Sequence, residues 1–392
     1  MAKSLMAKRQ SQWRELVEHQ APLSVTIYMP THVSGADIRQ DPIRLRNCLD
    51  DAERQLIELG ERAPNARARL ADARALVDDS DFWRHQRRGL GLFISDGATR
   101  RESLPFEPQP MVSVAEQFHL KPLFDLQARP RFYILGLSKN AVHLYRCNGQ
   151  TAEAVPLPGA PRDFAEQTRA VEVERQMQWH TQTAPHAPGG TRPALFHGQG
   201  EGGDESVEKK RVMEYCHEID VSLNHVLTGE RRPLLLAAAE PINGLYRRGS
   251  AYPSVDPRPL AGCPDEMPVE ELHRRAAALL EGDRDEAMQA AADRYYIAAG
   301  AGQGVHGLRR VVEAASRGGV DTLFVAGDEA CWGTFDFESE RLIRHDEAQP
   351  GDVDLLNFAA VLTERNGGAV YVVPRERIPD GAVAAAALRF RG

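Results

Sequence analysis

The stretch RFYILGLSKNAVHLYRC, residues 131–147, decides the fold of the chain. Two apolar runs, Arg131–Leu137 and Ala141–Cys147, flank a short polar triplet, which is typical of antiparallel strands joined by a tight turn. A third strand is predicted over Thr151–Leu157, because the Asn148-Gly149 pair before it favours a hairpin. The centre of the chain therefore begins with a three-stranded meander.

Downstream of the meander, a polar stretch rich in histidine and glycine, Gln176–Gly203, is predicted to be irregular. A long helix follows from about Asp204 to Leu227, because apolar residues recur there at the helical period. Its apolar stripe is Val212, Cys216, Ile219, Leu223 and Val226. The apolar run Pro233–Ala239 then predicts a fully buried strand. Meander, helix and buried strand together indicate a mixed sheet with helices packed on it.

The two flanking thirds alternate helices and strands in the same way. In the first third we expect strands at Leu23–Met29, Gly89–Ser95 and Met111–Leu120, and helices from Asp41 to Gly60 and over Asn65–Val77. In the last third we expect helices at Val269–Leu280, Arg284–Ala298, Leu308–Ala315 and Val353–Arg365, and strands at Thr322–Ala326 and Ala369–Val373. This alternation predicts an α/β (α+β) protein whose last third is a compact α/β/α sandwich.

Length and charge suggest how the chain is divided. Its 392 residues exceed what one hydrophobic core usually supports, so two or three domains are expected, and we divide the chain into 1–127, 128–265 and 266–392. The last of these carries 14 basic against 22 acidic residues, which accounts for the entire net charge of −8. An acidic domain repels phosphate, so we expect it to bind a protein partner rather than RNA.

Several features favour a cytoplasmic protein. No apolar run is long enough for a membrane span, and the basic N-terminus lacks the apolar stretch of an export signal. Five scattered cysteines without a CxxC pair suit reduced thiols. His180, His186 and His197 match no common zinc spacing, so we expect neither a metal nor a cofactor.

Residues 302–307, GQGVHG, formally match the dinucleotide fingerprint GxGxxG. That fingerprint requires a strand before the glycines, so that the pyrophosphate meets a helix N-terminus. The preceding Arg284–Ala298 is rich in Ala, Glu and Gln and indicates a helix instead. A flexible connection between two helices is the better interpretation.

The segment His197-Gly198-Gln199-Gly200 is the strongest candidate site, although its glycines also suit an ordinary flexible loop before the helix at Asp204. Glycines allow the main chain to approach another molecule closely, and a glutamine side chain both donates and accepts hydrogen bonds. Lys209, Lys210 and Arg211 follow on the predicted helix and are candidate phosphate contacts, although neighbouring acids also suit an ordinary solvated helix start. Arginine pairs of the first two thirds are further candidates for phosphate contacts: Arg87-Arg88, Arg100-Arg101, Arg231-Arg232 and Arg247-Arg248.

Read together, several short motifs resemble the bacterial archaeo-eukaryotic release factor family. They are IYMPTH (27–32) with DPIRLRN (41–47), FHLKPL (118–123), RFYILGLSKNAVHLYRC (131–147), HGQG (197–200), VDTLFV (320–325) and NGGAVYVVP (366–374) with 382–390. The resemblance implies an N-terminal domain, a ribonuclease-H-like middle domain and a C-terminal domain like kink-turn-binding ribosomal proteins.

In release factors the middle domain carries a GGQ loop that reaches the peptidyl transferase centre. By resemblance, Gly198 and Gln199 match its second glycine and its glutamine, whereas His197 replaces the first glycine. The family also implies ribosome and tRNA as partners, with a protein partner docking on the C-terminal domain. His197 and Gly200 would lie beside the RNA.

The resulting hypothesis is a ribosome-associated factor acting in termination, rescue or hibernation, with peptidyl-tRNA hydrolysis as its candidate activity. Two alternatives stay open. A metal-dependent hydrolase or nuclease on the middle domain needs clustered carboxylates, and the strands RFYILGLSK and AVHLYRC contain none. A non-catalytic scaffold would bind a protein through the acidic last third.

Overall fold

The computed structural model describes residues 11–33, 36–95, 98–148, 151–169, 203–260 and 264–390. Contacts divide the chain into two compact units. The middle unit comprises Arg129–Arg284, and the composite unit combines Lys8–Ala128 with Asp285–Gly392. The predicted domain boundaries after residues 127 and 265 remain predictions. The α/β fold class is confirmed, since helices and several sheets alternate along the described chain.

The strands in chain order are β1 Ser24–Pro30, β2 Gly89–Ser95, β3 Ala98–Leu104, β4 Met111–Ala115, β5 Phe132–Leu137, β6 Val142–Cys147, β7 Ala152–Val155, β8 Leu234–Ala237, β9 Gly304–His306, β10 Val320–Ala326, β11 Trp332–Asp336, β12 Arg341–Arg344, β13 Val353–Asp354, β14 Ala369–Val373 and β15 Ala384–Leu388. The α-helices are α1 Asp41–Glu58, α2 Ala63–Arg69, α3 Ala71–Ala75, α4 Ser80–Arg84, α5 Lys121–Ala128, α6 Gly203–Val226, α7 Ile242–Gly249, α8 Val269–Gly300, α9 Leu308–Ser316 and α10 Leu355–Arg365. Residues 11–18 and 164–169 are also helical.

The first sheet of the composite unit has the order β3-β2-β1-β4 and is antiparallel throughout. Strand β1 is buried on both faces. Val25, Ile27 and Met29 pack with helix α1, whereas Tyr28 points into a second core that includes the last third of the chain. Because successive side chains of a strand point to opposite faces, a doubly covered strand appears in the sequence as a continuous apolar run.

The second sheet of the composite unit has the order β14-β10-β15-β9. Strands β10 and β14 are parallel, and β10 pairs antiparallel with β15. Helices α5, α9 and α10 supply apolar side chains to its core. A separate three-stranded sheet, β12-β11-β13, follows β10.

A buried polar cluster joins the first and last thirds within the composite unit. Asn357 of α10 accepts hydrogen bonds from the backbone N–H groups of Leu120 (2.7 Å) and Lys121 (2.9 Å), and its amide donates to the Phe118 carbonyl (3.1 Å). The Lys121 ammonium lies 2.7 Å from the carboxylate of Asp354, and both side chains are buried. The motif FHLKPL therefore forms hydrogen bonds with a residue more than 200 positions later in the chain.

The middle unit is built on the sheet β7-β6-β5-β8, in which β5 and β8 are parallel. The antiparallel pair β5–β6 confirms the predicted hairpin. Tyr133, Leu135 and Leu137 pack with α6 and α7 on one face, and Phe132 and Ile134 pack with the first turns of α8 on the other. Burial on both faces explains why the strand is apolar throughout.

Four expectations about the elements were wrong. The predicted helices Val269–Leu280 and Arg284–Ala298 are one helix, α8, because Gly282 disfavours a helix by only about 1 kcal/mol and no proline interrupts it. Residues 304–306 are a strand rather than part of a flexible connection. The helix expected over Asn65–Val77 is divided into α2, α3 and a 3-10 turn. The strand starting at Met111 ends at Ala115 rather than at Leu120.

Among the helices of the described residues, none combines the length and the hydropathy that a membrane crossing requires.

Candidate functional site

The predicted site residues fall into two groups. His197, Gly198, Gln199 and Gly200 lie outside the described residues. Lys209, Lys210 and Arg211 lie near the start of α6 in the middle unit, where Lys209 and Lys210 are exposed and Arg211 is partly exposed. They lie on the helix that the apolar stripe predicted.

Helix α6 is oriented by its apolar side. Val212, Cys216, Ile219 and Leu223 are buried, as the helical period predicts, whereas Val226 is only partly buried and Leu227 takes the deeper position. Because these residues face the sheet, the lysines at the start of the helix face solvent.

Two adjoining depressions, which we call the α6–α7 groove, lie beside these lysines. Their volumes are about 750 Å³ and 710 Å³, and both are lined by Lys209, Leu245 and Arg248. The first also contacts Lys210, Met213, Cys216, His217 and Tyr246, and the second Ser138, Lys139, Glu208, Glu240 and Ile242. The groove thus combines apolar surface with charged groups of both signs, since its lining also includes Glu214 beside the lysines and the arginine.

The second depression lies at the carboxyl ends of the parallel strands β5 and β8. In open α/β sheets this edge is the usual place for ligands. The turn after β5 is held there by its own hydrogen bonds, because the Ser138 hydroxyl donates to Asp265 (2.7 Å) and accepts the backbone N–H of Ala141 (3.0 Å). The Tyr215 hydroxyl donates to the Ser138 carbonyl (2.8 Å) and so ties the turn to α6.

An ion pair joins the same turn to the start of α6. The Lys139 ammonium lies 2.5 Å from the Glu208 carboxylate and 5.5 Å from the centre of the Phe164 ring. The hydrogen bond from Lys139 lowers the pKa of Glu208. Lys139 is therefore already neutralised in part, and Lys209, Lys210 and Arg248 share the rest of the lining with Glu214 and Glu240.

A buried carboxylate fixes the wall formed by α7. Asp220 of α6 accepts hydrogen bonds from the hydroxyls of Tyr246 (3.0 Å) and Ser250 (2.5 Å), from the backbone N–H of Ala251 (2.9 Å) and from the Asn224 amide (2.9 Å). Burial, and next the charge of Asp220, raise the pKa of the Tyr246 hydroxyl well above its usual value. Because its oxygens are occupied by donors within the unit, Asp220 acts as a brace between α6 and α7.

The thiol in the groove is chemically quiet. Burial raises the pKa of Cys216 to about 11, and the nearby Asp220 adds to the increase. The thiolate is the nucleophilic form of cysteine, and the raised pKa disfavours that form near neutral pH.

Most of this groove has no signature in the local sequence. Arg248 stands out only as part of an arginine pair, and its neighbour Arg247 has a different role, since it donates to the carbonyls of Asp256 and Arg258 (2.8 Å to the latter). Lys139 has no feature in the sequence that marks it as a site residue. Both belong to segments that are distant in sequence from Lys209, so no local pattern could bring the three together.

Within the part of the chain that the structure describes, no group of three His, Cys, Asp or Glu side chains is close enough to bind a metal ion.

The middle unit is similar in sequence to a known protein family. Residues 132–282 match the sequence model of bacterial archaeo-eukaryotic release factor family 7. The resemblance predicted from the short motifs is thereby confirmed for this part of the chain. None of the curated proteins has a significantly similar sequence.

Solved structures give weaker similarities. They include the archaeal translation termination factor aRF1 (15% identity over 98% of each chain, TM-score 0.23) and Archaeoglobus fulgidus Pelota (15% identity over 77% of this chain and 79% of that one, TM-score 0.29). A ribosome-bound archaeal Pelota with ABCE1 shares 12% identity over 97% and 94% of the two chains, with a TM-score of 0.37. The family match agrees with the coarse prediction of a translation-related factor.

Proposed function

We propose, from the release-factor match of residues 132–282, that the chain is a ribosome-associated translation factor acting in termination, rescue or hibernation. The segment around Gln199 would be directed at peptidyl-tRNA. The observation that carries the proposal is the family match over the unit that contains both this segment and the α6–α7 groove.

The exposed lysines at the start of α6 support an RNA partner for the middle unit. Lys209 and Lys210 are exposed at the start of α6, only ten residues or so after Gln199, and Arg248 faces the same depression. Phosphate groups are the usual ligands of such clustered cations. We propose that these residues, with the partly exposed Arg211, contact the acceptor end of tRNA or nearby ribosomal RNA.

If the chain hydrolyses peptidyl-tRNA, water is the nucleophile and Gln199 positions it by hydrogen bonding. Removing one positioning contact of this kind typically costs about 3 kcal/mol of activation free energy, or roughly a hundredfold in rate. His197 stands where release factors have a glycine, and its Cβ restricts the backbone where close approach is needed. A factor that occupies the site without cutting is the hibernation form of the same proposal.

The acidic last third of the chain supports a second contact, with a protein partner. Its excess of eight acidic residues disfavours RNA and suits a protein partner with a basic surface. A ribosome-bound factor works in the cytoplasm, which is the location we propose for this chain.

The test is co-sedimentation of the full chain with 70S ribosomes at low and moderate salt, with hydrolysis of labelled peptidyl-tRNA measured on the same ribosomes. Gln199→Ala is expected to retain binding and to lose about a hundredfold in hydrolysis. Gln303→Ala is the matched control, because Gln303 lies in a similar glycine-flanked motif in the composite unit. If the wild-type chain binds ribosomes but does not hydrolyse peptidyl-tRNA, the result supports the hibernation form of the proposal.

A second pair of variants tests the groove. Lys209→Gln/Lys210→Gln is expected to weaken ribosome binding and its salt dependence, since each lost phosphate contact reduces counterion release. Arg309→Gln/Arg310→Gln removes the same charge from the exposed face of α9 and should bind like wild type. A wild-type chain that fails to sediment with ribosomes at low salt would refute the proposed function.

A further inference from the structure

The small sheet β12-β11-β13 of the composite unit has one face that stays exposed. Phe335 and Leu342, which lie directly opposite each other, pack on the core of the unit. Because successive side chains of a strand point to opposite faces, Thr334 and Ile343 form a cross-strand pair on the other face. Both are exposed, Ile343 by 40%. The β11–β12 face comprises these two residues and those that share their side of the strands: Trp332, Asp336 and Arg341.

The hairpin that carries this face is held at both ends by its own contacts. The Asp336 carboxylate accepts the backbone N–H groups of Glu338 (2.9 Å) and Ser339 (2.8 Å), which fixes the turn after β11. Beyond β12, the buried Asp352 carboxylate lies 2.8 Å from the His345 ring. The face is therefore preformed before any partner binds.

Almost the whole acidic excess of the last third lies in this sheet and its loops. Residues 328–354 carry nine acidic against two basic residues, which is seven of the eight excess acidic residues of 266–392. Other segments contribute three cations, each in an ion pair: Arg317 with Glu340, Lys121 with Asp354 and Arg375 with Glu329. With these included, nine acidic residues are still balanced by only five basic ones.

The acidic side chains without an internal partner lie at the two ends of the hairpin. Glu338 is in the turn after β11, and Asp346 and Glu347 follow β12. All three are exposed, and none forms an ion pair with a residue in the described ranges. Strands of this size are about 15 Å long, so both ends lie within roughly 10 Å of the centre of the face, about one Debye length at 0.1 M salt.

The two arginines of β12 do not reverse this charge. Arg341 lies directly opposite Asp336 on the β11–β12 face and offsets that carboxylate. Arg344 is opposite Gly333, so its side chain belongs to the other side of the sheet. The apolar centre of the face, at Ile343, is therefore flanked by negative charge.

We propose that the β11–β12 face binds a lysine- and arginine-rich segment of a protein partner, with an apolar side chain of that segment packed on Ile343. The inference rests on the proposed function, in which the acidic last third contacts a protein. Opposite potentials attract and orient two partners, and an apolar centre with a polar rim is the usual anatomy of a protein interface. Acidic side chains repel RNA, and a second copy of the chain carries the same negative charge.

The probes are two fluorescein-labelled peptides of equal charge, KRKLFKRK and KRKSSKRK, whose binding to the full chain is measured by anisotropy at about 50 mM KCl, where screening is weak. The wild-type chain should bind KRKLFKRK about tenfold more tightly, since partial burial of a leucine and a phenylalanine gives at least that factor. Ile343→Ser should reduce this preference to less than about threefold. Ile57→Ser changes an isoleucine of similar exposure in the same unit (43% against 40%) and should keep the preference.

A second pair of variants tests the charge. Glu338→Gln/Glu347→Gln should weaken the binding of both peptides about fivefold, because one exposed ion pair contributes roughly 1.4- to 5-fold. Glu58→Gln/Glu286→Gln removes the same charge from exposed positions elsewhere in the composite unit and should bind both peptides like wild type. The substituted side chains are all exposed, so the fold is retained, which thermal melting verifies.

The proposal is overturned if the wild-type chain binds neither peptide or binds both equally, if Ile343→Ser keeps the preference, or if the control loses as much as Glu338→Gln/Glu347→Gln. Sedimentation velocity tests the other occupant, since a wild-type dimer that Ile343→Ser dissociates would assign the face to a second copy and would equally refute the proposal. None of these measurements uses ribosomes. Failure here therefore leaves the proposed ribosome binding intact, and failure of ribosome co-sedimentation leaves the peptide result readable.

Discussion

Replacing Asp354 by asparagine tests how the first and last thirds of the chain are held together in the composite unit. The Asp354 carboxylate is fully buried, with one oxygen 2.7 Å from the Lys121 ammonium. Its other oxygen accepts the backbone N–H groups of Cys331 (3.0 Å) and Leu356 (3.1 Å). Asparagine can keep these two bonds, but it then directs its NH₂ group at the lysine.

The expected loss follows from the burial of both charges. Lys121 is only 6% exposed, so the substitution leaves an ammonium without a counter-charge and with the Glu329 carbonyl as its remaining acceptor. Removing one partner of a buried ion pair typically costs about 3–5 kcal/mol. For a denaturant dependence of about 2.5 kcal/mol/M, a loss of about 4 kcal/mol lowers the urea midpoint by about 1.6 M.

The assay is urea unfolding followed by tryptophan fluorescence in a Trp179→Phe background. The other three tryptophans, Trp13, Trp83 and Trp332, all belong to the composite unit, so the signal reports on that unit. Lys121→Met and the double variant with Asp354→Asn complete a thermodynamic cycle. The double variant should lose at least about 2 kcal/mol less than the sum of the single losses, because it leaves no unpaired charge.

The matched control is the exposed ion pair between Arg317 and Glu340 in the same unit. Arg317→Gln should cost less than about 1 kcal/mol, since water screens exposed charges. The reasoning fails if Asp354→Asn shifts the midpoint no more than Arg317→Gln does, or if the two single losses simply add.

Two further predictions concern buried polar groups. Burial lowers the pKa of His119 to about 4, so the folded chain stays neutral there while the unfolded chain gains a proton below about pH 6.5. The contribution of neutral His119 to the free energy of unfolding is complete above pH 6.5 and is lost as the pH falls toward 4. We expect the free energy of unfolding to be about 2 kcal/mol lower at pH 5 than at pH 7.5, and this decrease to be smaller in His119→Gln. In the middle unit, Asp220→Ala leaves the Tyr246 hydroxyl and the Ala251 N–H without their acceptor, which should cost about 2–4 kcal/mol. Hydrogen exchange over 242–260 should then be accelerated about a hundredfold, and unchanged protection there would contradict the bracing role of Asp220.

Local sequence patterns were sufficient to predict an element when burial of one or both of its faces sets the spacing of its apolar residues. The strands β1, β2, β5 and β14 and the helices α1, α6 and α9 were predicted within a few residues, because continuous apolar runs and 3.6-residue stripes report burial directly. Strand β3 (ATRRESL) was missed for the opposite reason. It is an edge strand with mostly exposed, charged side chains, so its sequence shows no burial pattern.

Positions that depend on distant partners were beyond such patterns. The strand expected to reach Leu120 stops at Ala115, because Leu120 and Lys121 donate their backbone N–H groups to Asn357 instead of to a neighbouring strand. In the same way the cations of the α6–α7 groove come from three separate segments.

The amino-acid sequence by itself determined the α/β class, the hairpin at the centre of the chain and the apolar faces of its main helices, since these follow from the spacing of apolar residues along one segment. Only the tertiary structure decided that the first and last thirds share a compact unit and that Lys121 pairs with Asp354. The physical reason is that hydrophobic burial is read along a helix or strand, whereas the pairing of charges depends on which elements fold against each other.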